Sequence, residues 1–214
     1  MLDLVIPFVL TAAAGYLLGS INCALLVSRF LEHDDIRTHG SGNAGAANMF
    51  RTYGKKAALT TALGDALKAV AACLLARFIF NLFTVDPGFD PAYIAGFFVL
   101  TGHIFPVFFK FRGGKGVMPA LGIVLTVNPL AFAVMVILAI PVFLLSRTIS
   151  LVSIVSAALL PIITLILCLL RNQNPLYSTV STILYAILVI FSHRDNIQRL
   201  RKGEEKPLTV KHRH

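Results

Sequence analysis

The sequence predicts an all-α integral membrane protein with seven transmembrane helices, the N-terminus outside and the C-terminus cytoplasmic. Three observations carry that expectation. Of 214 residues, 57% are hydrophobic and 14% charged, with a mean hydropathy of +0.79, far outside the range of soluble domains. Apolar runs of near-bilayer length recur along the chain. Basic residues gather on alternate connections between those runs.

The first run, 3–28, opens as LDLVIPFVL, with an acid and no basic residue. It lacks the positive n-region of a cleaved signal and is expected to persist as span one. Runs 57–80, 92–110, 149–170 and 176–192 each approach the roughly 20 residues a bilayer requires. The stretch 117–146 would be about 45 Å as one helix, too long for a core of roughly 30 Å. Asn128-Pro129 interrupts it, so it is expected to turn there and cross twice. Its first part, 117–127, is short for a span and open to a re-entrant reading.

Charge tests the count. With seven crossings the inner face holds Arg29, Arg37, Arg51, Lys55 and Lys56, then Lys110, Arg112 and Lys115, then Arg147, and in the tail Arg194, Arg199, Arg201, Lys202, Lys206, Lys211 and Arg213: sixteen of 19. Arg77 and Arg171 fall outside, and Lys68 lies within span two. A single crossing over 117–146 would export the basic tail, against the positive-inside bias.

No long soluble segment separates the runs, so residues 1–214 are read as a single membrane-embedded domain. No internal repeat is visible, which argues against a carrier built from inverted halves. Cys23, Cys73 and Cys168 sit in apolar stretches without CxxC spacing, suggesting neither a disulfide framework nor a metal site. The net charge of +9 has no soluble fold to present it to nucleic acid, so membrane lipids and phosphorylated substrates are the expected partners. No cofactor and no obligatory protein partner are inferred.

Three polar segments then stand at the inner face: HGSGNAGAANMFR (His39 to Arg51), KFRGGKG (Lys110 to Gly116) and HRDNIQRLRKGEE (His193 to Glu205). Glycine, amides and fixed positive charge are the groups that hold phosphate. In the first, Gly40, Gly42 and Gly45 permit close backbone approach, and Ser41 and Asn43 are helix-capping types. A short helix stopping at Gly54 would set Asn48 and Arg51 on one face. The plain alternative is a glycine-rich turn with a snorkelling arginine. In the second, Gly113, Gly114 and Lys115 offer backbone amides and an ammonium at a helix N-terminus; the alternative is a simple positive anchor. Phe109 stands six before Lys115 and Gly116 follows it, so this is not a nucleotide P-loop. In the third, His193 and Asn196 share a helical face, whereas Arg194, Arg199, Arg201 and Lys202 read as headgroup contacts. Asp65 and Lys68 form an ionisable pair within span two, structural or functional. Asn22 is expected to face protein, and His103 reads as a satisfied bundle histidine, without a carboxylate nearby in sequence.

Together, Gly19-Ser20-Ile21, Ser41 to Arg51, Gly102 to Val117 and His193 to Glu205 resemble the signatures of the bacterial acyl-phosphate-dependent glycerol-3-phosphate acyltransferases, the PlsY family. They cover about a quarter of the chain. The resemblance implies transfer of a fatty acyl group from acyl phosphate to the 1-hydroxyl of sn-glycerol 3-phosphate, giving 1-acyl-sn-glycerol 3-phosphate and phosphate, the first step of phospholipid synthesis. It implies a multi-pass protein of the bacterial cytoplasmic membrane with its active site on the cytoplasmic side. By matched position, Ser41, Asn43, Gly45 and Asn48 would bind the acyl phosphate, and Arg51, Lys115, His193 and Asn196 would hold glycerol 3-phosphate. Arg51, Lys115 and His193 are the expected catalytic residues, and Gly113 and Gly114 complete the expected binding set.

The chain departs from the family pattern at Asn22-Cys23-Ala24, where Pro-aromatic-Gly is usual, at Ala44 for proline, at Ala47 for threonine, and at Met118-Pro119 for Ala-Thr. Ala47 lacks a hydroxyl for phosphate, leaving Ser41, Asn43 or backbone N–H groups to compensate. The HxxxxD pattern of other acyltransferases is absent: Thr38, Ala44, Phe108 and Gln198 stand five after the internal histidines. Spans rich in Ala and Gly, such as one and two, can pack closely and leave a groove for the acyl chain. The competing reading is a membrane transporter of phosphorylated solutes, with Asp65 and Lys68 as coupling residues.

Overall fold

A computed structural model describes residues 2–205 and 207; Lys206, Lys211 and Arg213 of the basic tail lie outside them. Among the described residues the regular structure is ten α-helices with two short 3₁₀ turns and no strand. They are α1 (Leu2–Ser20), α2 (Cys23–Leu31), α3 (Ala46–Tyr53), α4 (Lys55–Leu82), α5 (Ala92–Ile104), α6 (Val117–Val127), α7 (Pro129–Ser146), α8 (Ile149–Leu170), α9 (Leu176–Ser192) and α10 (Arg194–Arg201).

The first apolar run is broken. It stops at Ser20 and resumes at Cys23, with Asn22 as the new N-cap, its side chain accepting from Leu25 N at 3.0 Å. A capping asparagine satisfies first-turn amides that a continuous helix would have bonded itself. Helix α1 lies against α5 so closely that a Cβ on Gly19 would be 2.3 Å from the Val99 carbonyl, and one on Gly102 would be 2.2 Å from that of Tyr16. Only glycine permits this backbone contact.

The break leaves carbonyls without helical partners, and Lys68 reaches them from α4. Its ammonium donates to Gly19 O at 3.0 Å and Ile21 O at 2.5 Å, and lies 2.8 Å from Asp65 Oδ1. His103 Nδ1 on α5 is 3.1 Å from that ammonium and 3.6 Å from Asp65 Oδ1, so geometry favours the ring nitrogen as an acceptor from Lys68. Cys23 N donates to Asp65 Oδ1 at 3.4 Å. The intramembrane pair is therefore a tie among α1, α2, α4 and α5. His103 does have a carboxylate neighbour, contributed by another helix.

The long stretch turns at Asn128 as expected, its side chain capping α7 by accepting from Ala131 N at 3.1 Å. At 11 residues, α6 spans about 16 Å, roughly half a bilayer core. The Thr126 carbonyl in its last turn accepts from Arg77 at 3.1 Å, and Arg77 also pairs with Asp90 at 2.6 Å. Arg77, an exception to the charge bias, is thus neutralised by Asp90.

Among the described residues, four segments are long and apolar enough to cross a membrane: Asp3–Leu31, Ala92–Phe109, α7 and α8. Helices α9 and α10, bent by 61°, make a fifth if counted as one span. Helix α4 is longer, at 28 residues, but carries Asp65, Lys68 and Arg77. Large leucines such as Leu145 and Leu170 stand 88% and 74% exposed, as side chains facing hydrocarbon do.

Lys68→Met strips a buried carboxylate of its counter-charge and two carbonyls of their donor, leaving Asp65 the Cys23 N–H, whereas Asp65→Asn leaves the lysine its carbonyl partners. Breaking a buried pair this way costs about 3–5 kcal/mol. Thermal unfolding in detergent is expected to rank wild type above Asp65→Asn and Asp65→Asn above Lys68→Met; three equal midpoints would contradict the tie.

Candidate active site

The loop before α3 is organised by Asn48. Its Oδ1 accepts from Ser41 N at 3.0 Å, and its Nδ2 donates toward the carbonyls of Ile36, His39 and Asn43 at 3.2, 3.0 and 3.1 Å. Gly40 has a φ of +57°, and a Cβ there would fall 2.2 Å from Asn48 Oδ1. This changes the expectation for Asn48. Its amide borders the site but is committed to the loop's own backbone, so it shapes the ligand-facing turn. From the other side Asn22 Nδ2 donates to Ala44 O at 3.2 Å. Two departures from the family pattern, Asn22 and Ala44, thus meet in one hydrogen bond.

The second segment is held under α5. Lys110 and Phe111 both adopt left-handed backbone, with φ of 57° and 56°. Gly113 N donates to Ile104 O at 3.2 Å and Gly114 N to His103 O at 3.1 Å. A Cβ on Gly114 would sit 2.2 Å from His103 Nε2 and 2.8 Å from Ala44 O. The expectation that Gly113 and Gly114 present amides to a ligand is corrected here. Their N–H groups close the turn onto α5, and neither residue borders the polar cavity. Arg37 links the two segments through its Nη1, which donates to Phe109 O at 3.1 Å.

Lys115 emerges from this turn and donates to Asn196 Oδ1. Burial pushes its ammonium down to about 8, and Arg199 and Arg51 add to the shift against Glu205 and Asp195. His193 stands at the bend between α9 and α10, 3% exposed, with Nδ1 2.8 Å from Val189 O. A carbonyl can only accept, so Nδ1 carries the proton and Nε2 is left as an acceptor. Burial pushes this imidazole down to about 4, keeping it neutral near pH 7.

Sequence reasoning missed the far wall. Glu205 Oε1 accepts from Asn196 Nδ2 at 2.6 Å and Ser150 Oγ at 2.8 Å, and its Oε2 from Arg199 Nε at 2.6 Å. Burial alone would raise this carboxyl, but the bonds from Arg199, Ser150 and Asn196 hold it below the ordinary glutamate range. Arg199 had looked like a headgroup contact because it lies among basic neighbours. Ser150 gave no signal within an apolar run.

These parts enclose a polar cavity of about 140 Å³. Ser41, Asn43, Gly45, Asn48, Arg51, Lys115, His193 and Asn196 all border it, with Asp65, His103, Ser150, Arg199 and Glu205. The first turns of α3, α6 and α8 reach it, and their N-caps, Gly45, Gly116 and Thr148, make no side-chain cap bond. Helix N-termini left this way attract anions. Among the described residues no cluster of three or more His, Cys, Asp or Glu side chains is placed to hold a metal.

An apolar cavity of about 320 Å³ adjoins the polar one, sharing Val117, Ile149 and Ser153. It lies among α6, α7, α8 and α9. Close packing by small residues, expected in spans one and two, is present at Gly19 of α1 and at Gly102 of its neighbour α5, while this apolar space opens among other helices.

The family model for glycerol-3-phosphate acyltransferases matches residues 9–203. The chain is 39% identical over 203 residues to a glycerol-3-phosphate acyltransferase of Thermoanaerobacter sp. (strain X514), covering 95% of this chain and 96% of the relative. It is 36% identical over 207 residues to that of Clostridioides difficile (strain 630), covering 97% and 98%. A crystal structure of PlsY, an integral membrane glycerol 3-phosphate acyltransferase, in its glycerol 3-phosphate form superposes with a TM-score of 0.81 at 33% identity, covering 94% of this chain and 96% of that one. Its lysophosphatidic acid form gives 0.78 at 32% identity, with 94% of each covered. The chain belongs to the glycerol-3-phosphate acyltransferase family, and with its apolar helices it is a multi-pass membrane protein.

Lys115 is charged below about pH 8 and loses its proton above. Affinity for an anionic ligand is therefore expected to fall as pH rises through about 8, and Lys115→Arg is expected to move that limb to higher pH, because guanidinium stays protonated. Ligand titrations between pH 6 and about 10 check this; the same limb in both proteins would refute it.

Proposed function

We propose that this protein transfers a fatty acyl group from acyl phosphate to the 1-hydroxyl of sn-glycerol 3-phosphate, releasing 1-acyl-sn-glycerol 3-phosphate and phosphate. The observation that carries the reading is the junction of two unlike cavities. One is polar, with Arg51, Lys115, Arg199 and three uncapped helix N-termini; the other is apolar and adjoins it at Val117, Ile149 and Ser153. An acyl phosphate has that division of character, and glycerol 3-phosphate brings a second anion to the polar side.

The chemistry asks mainly for placement. An acyl phosphate is a mixed anhydride whose phosphate leaves readily, so the protein must align two anions and offset their repulsion. Arg51 and Lys115 supply fixed charge, and Ser41, Asn43, Gly45 and the α3 and α6 amides supply donors. With Ala47 in place of threonine, those backbone N–H groups meet the phosphate directly. The hydroxyl oxygen attacks the acyl carbon, the carbon–oxygen bond to phosphate breaks, and the hydroxyl proton ends on the departing phosphate. His193 Nε2 orients that hydroxyl as a hydrogen-bond acceptor. At about 4 its ring is a weak base, which favours transfer of the proton to a substrate oxygen. Asn196 and Glu205 hold the far side of the polar cavity, and Asn48, Gly113 and Gly114 set the shape of its loops.

The same reading takes residues 1–214 as one domain with seven crossings, the N-terminus outside, and the site at the cytoplasmic face of a bacterial inner membrane. The basic residues around all three polar segments support that orientation. A transporter would need mobile intramembrane charge, whereas Asp65 and Lys68 are bonded to each other and to backbone.

Detergent-purified protein given hexadecanoyl phosphate and glycerol 3-phosphate is expected to release inorganic phosphate without a sealed membrane, and to be inactive with acyl-CoA or acyl-carrier-protein donors. Arg51→Ala and Lys115→Ala should each lower kcat/KM by about 100-fold or more. Phosphate release absent with the acyl phosphate, or unchanged in both variants, would overturn the reading. His193→Gln is expected to retain a reduced chemical step; its abolition with binding intact would assign the proton to His193 instead.

A further inference from the structure

We infer that Val124, Met135 and Leu160 form a floor that sets the length of acyl chain the protein accepts. The inference rests on the acyltransferase reading and adds to it a specificity-determining site. It comes from where three helical stripes end. Along α8 the apolar cavity is lined at Ile149, Val152, Ser153, Ser156, Ala157 and Leu160 and no further. On α6 the lining ends at Val124, and on α7, which runs the opposite way, at Met135. Those three residues are 1%, 7% and 3% exposed, and they pack with Ala131 and Ile163 into one buried cluster. Neither Ala131 nor Ile163 touches the cavity. The cavity therefore stops where α6, α7 and α8 converge.

Above the floor the walls are small or loosely packed. Ala139 lies one turn from Met135 and Ala157 one turn from Leu160, both on the cavity side. Helix α7 has no buried residue beyond Met135 in its remaining length, and Pro141 removes one of its backbone donors. That half of α7 leaves the space a chain would fill. From Ile149, shared with the polar cavity, to Leu160 the helical rise gives about 16 Å, close to half of a roughly 30 Å hydrocarbon core. A fatty chain whose phosphate sits beside Lys115 thus has about one leaflet of depth before meeting Leu160.

The test is a donor series from octanoyl to octadecanoyl phosphate with the full-length protein in detergent, reading kcat/KM for each. Leu160→Ala should shift the optimum toward longer donors. Ala157→Phe should lower hexadecanoyl relative to decanoyl phosphate by about tenfold or more. Ala139→Phe plugs the same level from the loosely packed wall and keeps the test valid if either α8 variant fails to fold. Donor ratios unmoved in the folded variants, or all donors changed by one common factor, would overturn the floor while leaving the acyltransferase reading intact. Wild-type protein inactive with every acyl phosphate would overturn both.

Discussion

An ammonium buried where two helices part is the constraint on which the rest of the structure depends. Lys68 supplies donors for the carbonyls of Gly19 and Ile21 that the end of α1 leaves open, and Asp65 balances its charge. Breaking a membrane helix exposes backbone groups that hydrocarbon cannot satisfy. With the break stabilised, Asn22 can cap α2 and hold Ala44, while His103 packs beneath Gly114. The two loops that border the polar cavity are thus registered against one buried cluster. Their spacing follows from that tie, whose Asp65 and His103 also border the polar cavity.

The polar cavity gathers positive potential in two ways. Side chains contribute point charges at Arg51, Lys115 and Arg199, and helices α3, α6 and α8 contribute first turns without side-chain caps. Helices α2 and α7, whose N-termini serve the fold, are capped by Asn22 and Asn128. Glu205 tempers the assembly by engaging Arg199, Asn196 and Ser150. This internal carboxylate orders the donors around it and offsets part of their charge.

What was legible in the chain follows from the range of the interactions. The turn at Asn128 could be read because a cap and a proline are adjacent, and the glycine-rich segments because their residue types are rare in apolar surroundings. The break before Asn22 was obscured by the continuity of apolar residues from 3 to 28. The partnership of His103 with Lys68 joins residues 35 apart on different helices, a separation that local patterns do not encode. Arg199 was masked by its basic neighbours, and Glu205 by the sequence distance to Ser150, which it meets only in the fold. The apolar cavity left no trace because α6 and α7 are almost wholly apolar, so no period distinguishes a lining face from a lipid face.

The central claim is that two anions share one polar chamber while an acyl chain occupies the adjoining apolar one. A structure of the protein with glycerol 3-phosphate and a non-transferable acyl phosphonate bound together tests it most directly. The account predicts both phosphorus atoms between Arg51, Lys115 and the N-terminus of α3, with the alkyl chain directed among α6 to α9 toward Leu160. An alkyl chain lying along α1 and α4, or two phosphorus atoms in separate chambers, would contradict it.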